Sequence, residues 1–173
     1  MLTKRTLPRA ALRGRFFISE SALAAAERLL PTYRGPDGDH EGVLFMLGFE
    51  TPEWTLFTSV VAPEAAHGQG HVRADEAAVA AAARAARGHG LGVLGEIHSH
   101  PSGWTEHSHG DDELVLMPFE GMLSLVVPHY GHWGMRPLEG LGIHQYQDGR
   151  WVAVVRGIRE GLTVIPSALD VRR

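Results

Sequence analysis

Between Gly95 and Leu114 the sequence GEIHSHPSGWTEHSHGDDEL holds four of the chain's 11 histidines and five of its 20 acidic residues. Imidazole nitrogen and carboxylate oxygen are the donors left for a divalent metal ion in a protein without cysteine, and this chain has none. In a strand, residues two apart project from one face, so His98 and His100 can reach the same ion. Pro101 ends such a strand and the chain reverses through SGW. A third donor must then return from the next element. Asp111, in the first turn of a helix opened by Ser108, is placed to supply it. Three protein ligands leave a fourth position open for water, which is a catalytic rather than a closed structural arrangement. A bare HxH also occurs as a surface or core pair that holds no ion. Asp112 is an alternative to Asp111, although the spacing favours Asp111.

The wider spacing is more specific than the pair alone. His98, Ser99, His100, Ser108 and Asp111 fill every fixed position of H-S/T-H-x7-S-x-x-D, with Pro101 the first of the seven. This resembles the JAMM signature of the JAB1/MPN (JAB1/Mov34/PAD-1) metalloprotease family. The family carries an upstream glutamate at the start of an apolar strand, E-x-x-G-x-L-x-G. The run EGVLFMLG supplies Glu41 and Gly48 at the same separation, with Val43 and Leu44 replacing the family's small residue and glycine in mid-motif. Glu50 and Glu53 lie beyond that strand, in the turn. The resemblance spans roughly Arg15 to Val155. The WTEHS and GEIHSHP segments look most like the bacterial, deubiquitinase-like branch, often found beside E1-like and E2-like proteins.

The resemblance implies one α/β JAB1/MPN domain, cytidine-deaminase-like, with a curved mixed sheet packed by about three helices. It implies Zn2+ held by His98, His100 and Asp111, acting as a Lewis acid and lowering the pKa of its bound water towards about 7. Glu41 would be the general base that passes the water's proton to the leaving amine. Ser108 would donate to the oxyanion, a contribution of about 3 kcal/mol, and also cap its helix, two roles that compete for one hydroxyl. The implied activity is an isopeptidase acting after the C-terminal glycine of a ubiquitin-like protein. Hydrolysis of a sulfur-carrier adduct or small peptide is an alternative, as is a metal-free binding scaffold, whose members usually lose ligands that this chain keeps. Glu96 shares the strand face of His98 and His100, so it is the second candidate base or a supporting group behind the ligands. His107 and His109 are expected to face solvent or the substrate loop, and His67, His71 and His89 to lie on the surface. Trp104 either packs its loop down or meets the substrate's tail.

The elements that must position these residues are legible in outline. RFFISE reads as a strand running into the helix SALAAAERLL, capped by Ser19 or Ser21. The continuous apolar run Glu41 to Phe49 is a buried strand, paired through TPE with WTLFTSVVA. ADEAAVAAAARAAR is a helix with acids at its start and arginines near its end. LGVLGEIHSH is the ligand strand, SHGDDELVLMPF a helix and MLSLVVPHY a strand. LGIHQYQ and RWVAVV form a hairpin through Asp148-Gly149. Residues 1–14 read as a flexible basic tail without the apolar core of a secretory signal, and residues 15–173 as the domain. Net charge is -4, which gives nucleic-acid binding no electrostatic support. No apolar run reaches membrane-span length. The expected location is cytoplasmic.

Overall fold

The apolar run that begins at Val43 becomes the middle of a sheet. In the computed structural model, which describes residues 6–111 and 118–168, strand β5 (Val43–Glu50) is buried along its first six residues. A strand covered on both faces needs apolar side chains at consecutive positions rather than alternate ones. Leu44 and Met46 enter a core shared with Leu23 and Ala26. Val43 and Phe45 enter a second core with Ala78 and Ala82.

The strands in chain order are β1 (Arg9–Ala11), β2 (Phe16–Ser19), β3 (Arg34–Gly35), β4 (Gly38–Asp39), β5, β6 (Thr55–Val61), β7 (Ala66–Gly68) and β8 (His71–Arg73). They continue as β9 (Gly92–Ser99), β10 (Leu123–Val127), β11 (Gly142–Gln147), β12 (Arg150–Arg156) and β13 (Leu162–Ile165). Nine of them make one mixed sheet in the order β1-β12-β11-β10-β9-β5-β6-β2-β13. β3 pairs with β4, and β7 with β8, as separate small hairpins. Helix α1 (Glu20–Leu29) packs on β6, and helix α2 (Glu76–Gly88) on β9. The chain is therefore a single α/β domain with the sheet between its helices.

Local chemistry explains the element ends. Ser19 Oγ accepts from Ala22 N–H at 3.1 Å and caps α1, while Asp75 does the same for α2 through Ala78 N–H at 2.8 Å. Asp148 and Gly149 have φ of 52° and 77°, the positive pair that a tight hairpin turn between β11 and β12 requires. At Gly48 the register with β6 shifts, and an added Cβ would lie 1.7 Å from the carbonyl oxygen of Leu56. Only glycine permits that approach.

Two expectations need correction or a limit. The free tail does not extend to residue 14: β1 pairs parallel with β12, and Leu7 is buried with Met122 and Trp151. Side chains from far along the chain hold this segment, since Gln145 donates to the Arg13 carbonyl and Gln147 to the Ala11 carbonyl. At the other end of the chain the segment after Arg156 supplies β13, parallel to β2. The helix expected from Ser108 falls, beyond Asp111, outside the described residues, as does Asp112. Among the described residues no helix is long and apolar enough to cross a membrane.

Candidate metal centre

Strand β9 lies between β5 and β10. His98 faces Val43 on β5 and Val126 on β10, so its ring is walled by apolar side chains and is fully buried. The sheet face it shares with Val43 and Phe45 is the one that α2 covers. His100 lies just past the strand end, with its N–H donated to the Val127 carbonyl at 2.9 Å.

The donor atoms of His98, His100 and Asp111 all lie within 4.8 Å of one another, and all three residues are buried. His100 Nε2 is 3.2 Å from Asp111 Oδ2, and His98 Nε2 is 3.6 Å from the same oxygen. His100 Nδ1 is 3.1 Å from the Trp104 carbonyl oxygen. A carbonyl can only accept, so Nδ1–H is the donor there, and Nε2, hydrogen-bonded to the Asp111 carboxylate, is the nitrogen left to face a metal ion. Trp104 stacks on the His100 ring at 5.0 Å and so packs its loop against this ligand.

Asp111 and Ser108 hold each other. The Asp111 carboxylate accepts from the Ser108 N–H, and Ser108 Oγ accepts from the Asp111 N–H at 3.3 Å, the reciprocal pair of a capping box. The cap uses an oxygen lone pair of Ser108, which leaves its hydroxyl proton available for donation.

Glu41 precedes β5. Its N–H donates to the Gly68 carbonyl at 2.9 Å, and the next residue's N–H donates to Ser99 Oγ at 2.9 Å. The Val43–His98 register, continued two residues, sets Glu41 opposite His100. Glu41 is 1% exposed, and its Oε1 has no hydrogen-bond partner. Burial raises its pKa to about 8, with the His98 charge opposing and the Asp111 charge adding. For His98, burial alone would lower the pKa, but Asp111 and Glu96 outweigh it and raise it to about 10. Asp111 is pushed up by burial and pulled further down by His98 and His100, so it stays ionised. Buried imidazole and carboxylate ligand atoms within 4.8 Å of one another, those of His98 without a hydrogen-bond partner, fit a divalent cation.

Other candidates are distributed differently. Glu50 and Glu53 are exposed, at the end of β5 and in the turn after it. Glu96 is fully buried on the His98 face. His109, His71 and His89 are exposed. His67 is half-buried, its Nδ1 2.7 Å from that of His40. His107, expected at the surface, is instead fully buried. Its Nε2 is 2.9 Å from Ser124 Oγ, and its ring lies 4.0 Å from that of His144. Burial, then the nearby His144 and His98, lower its pKa well below the usual value. A loop has no periodicity to reveal such a side chain. Ser124 and His144 carry no sequence signal either, because alternation along LGIHQYQ sets His144 on the face opposite Leu141 and Ile143. A groove of about 770 Å³ between the end of β6 and the alanine face of α2 is lined by none of the three donors.

Residues 37–134 match a family model described as prokaryotic homologs of the JAB domain. A protein from Desulfitobacterium hafniense, solved in solution, superposes with a TM-score of 0.57 at 17% identity, covering 89% of this chain and 94% of its own. A solution structure from Salinibacter ruber gives 0.54 at 20% identity, covering 80% and 90%. These two likenesses show a shared fold. A JAB1/MPN domain protein from Archaeoglobus fulgidus gives 0.48 at 15% identity, covering 88% and 100%. Comparison with curated protein sequences gives no match.

Proposed function

The chain belongs to the prokaryotic JAB family, and from that premise we propose that it is a zinc-dependent isopeptidase. Its substrate would be the amide bond after the C-terminal glycine of a ubiquitin-like protein, with E1-like and E2-like proteins as functional neighbours. The observation that carries this reading is the meeting of the His98, His100 and Asp111 donors within 4.8 Å, all buried. Glu41 adds a buried carboxylate within electrostatic reach of two of them.

His98, His100 and Asp111 would hold the ion. When bound, zinc supplies Lewis acidity and lowers the pKa of water towards about 7. Glu41 takes the proton of the attacking water and delivers it to the leaving amine nitrogen. A buried carboxyl, whose protonated form burial favours, suits both halves of that transfer. The Ser108 hydroxyl proton, not needed by the cap, donates to the carbonyl oxygen as its negative charge grows. An extended glycine-ended tail would lie along a sheet edge near these groups, bound through its backbone.

The test is single-turnover cleavage of a ubiquitin-like fusion by the zinc-loaded protein. The parent should cleave after the terminal glycine, and the His98→Ala, His100→Ala double variant should not. A zinc-loaded parent that binds a ubiquitin-like protein and leaves its fusion intact would make the domain a scaffold.

A further inference from the structure

Glu96 has no part in the reaction above, yet it is fully buried and neither carboxylate oxygen has a hydrogen-bond partner. Its register partners are Phe45 on β5 and Ser124 on β10. Ser124 Oγ is already engaged by His107 Nε2 at 2.9 Å. The two flanking strands therefore present no cation at this level. A buried carboxylate without compensation is strongly unfavourable. Beside it is a second orphan, because neither ring nitrogen of His98 has a hydrogen-bond partner. His98 Nδ1 lies 3.6 Å from Glu96 Oε1, while Nε2, across the ring, faces Asp111.

We propose that Glu96 is a positioning residue for His98: its carboxylate accepts from Nδ1–H, fixes the ring's tautomer and aims the Nε2 lone pair at His100 and Asp111. This rests on the metal reading given under the proposed function. The 3.6 Å separation exceeds a hydrogen bond by less than an ångström, so a small side-chain rotation closes it. The two histidines are thus oriented by different acceptors, a neutral backbone carbonyl behind His100 and an anion behind His98. An anionic acceptor makes the imidazole a stronger donor.

Zn2+ itself is the probe. Its affinity is measured by competition with a chromogenic chelator for the parent, Glu96→Gln and Glu96→Leu. The Nδ1–H resonance of His98 is followed by NMR in the zinc-loaded proteins. Glu96→Leu should weaken zinc binding by about 10- to 100-fold and move that resonance upfield from its charge-assisted position. Glu96→Gln keeps an acceptor oxygen and the side-chain size, and should fall between. Parent-like zinc affinity in Glu96→Gln and Glu96→Leu, or an unmoved Nδ1–H resonance, would overturn the proposal, because a purely structural role lowers stability without altering that proton. Should Glu96→Leu not fold, Glu96→Gln decides alone. A parent that takes up no zinc would remove the metal reading and this inference with it, whereas a zinc-binding parent without cleavage removes only the isopeptidase.

Discussion

Ser108 and Asp111 exchange hydrogen bonds in both directions, carboxylate to N–H and hydroxyl oxygen to N–H. One short S-x-x-D segment therefore both orients a metal ligand and keeps a hydroxyl proton available. Ser108→Ala should destabilise the domain by about 1 kcal/mol, the usual cost of a lost cap. If the hydroxyl also donates to the reacting carbonyl, kcat should fall by about 10²- to 10³-fold with zinc retained. Urea denaturation and single-turnover kinetics on the same preparation separate the two roles. A stability loss with unchanged kcat would leave only the cap.

Zinc content tests the ligand set directly. The purified parent should carry about one zinc per chain, and the His98→Ala, His100→Ala double variant almost none. Full retention of zinc in that variant, measured by elemental analysis, would dismiss the cluster as a metal site.

Zinc affinity should climb with pH. The metal-free His98 is raised to about 10, burial being outweighed by Asp111 and Glu96, and a ligand imidazole must give up the proton on its coordinating nitrogen. Binding at neutral pH therefore releases a proton, and affinity should rise roughly tenfold per pH unit below that value. Calorimetry in buffers of different ionisation enthalpy counts the proton. No release would show that His98 is already neutral.

Glu41 gives a stability signature of definite sign in the metal-free protein. Its carboxyl is raised from 4.5 to about 8, chiefly by burial. Between those values the folded state keeps a proton that the unfolded chain has lost, so this group makes stability fall as pH rises through that window, then level off. Glu41→Gln should flatten that part of the stability profile. An unchanged slope in chelator-treated protein would mean that the carboxyl ionises freely.

The same substitution separates catalysis from binding. Glu41→Gln is nearly isosteric and cannot take up the water's proton, so cleavage should drop at least about 10²-fold while zinc and partner affinity persist. Glu96→Gln should cost less in cleavage and more in zinc affinity. Equal cleavage rates for parent and Glu41→Gln would exclude Glu41 as the base.

By itself the sequence determined what depends on near neighbours. Strand periodicity puts His98 and His100 together, and S-x-x-D spacing brings Asp111 back to them. The Ser19 and Asp75 caps, the Asp148-Gly149 turn and the doubly buried β5 are likewise short-range consequences of residue type. Long-range pairing was decided only in the folded chain. Nothing local says that Val43 pairs with His98, yet that register carries Glu41 to His100. Nothing local predicts that residues 9–11 would be held by β12, or that β13 would close the far edge. His107 is the sharpest case. In sequence it is one more histidine in a polar loop, and it is buried because Ser124 and His144, on strands that follow it in the chain, form the pocket it fills. Spacing along the chain fixes the chemistry of the donors, and contacts between distant strands fix which of them face one another.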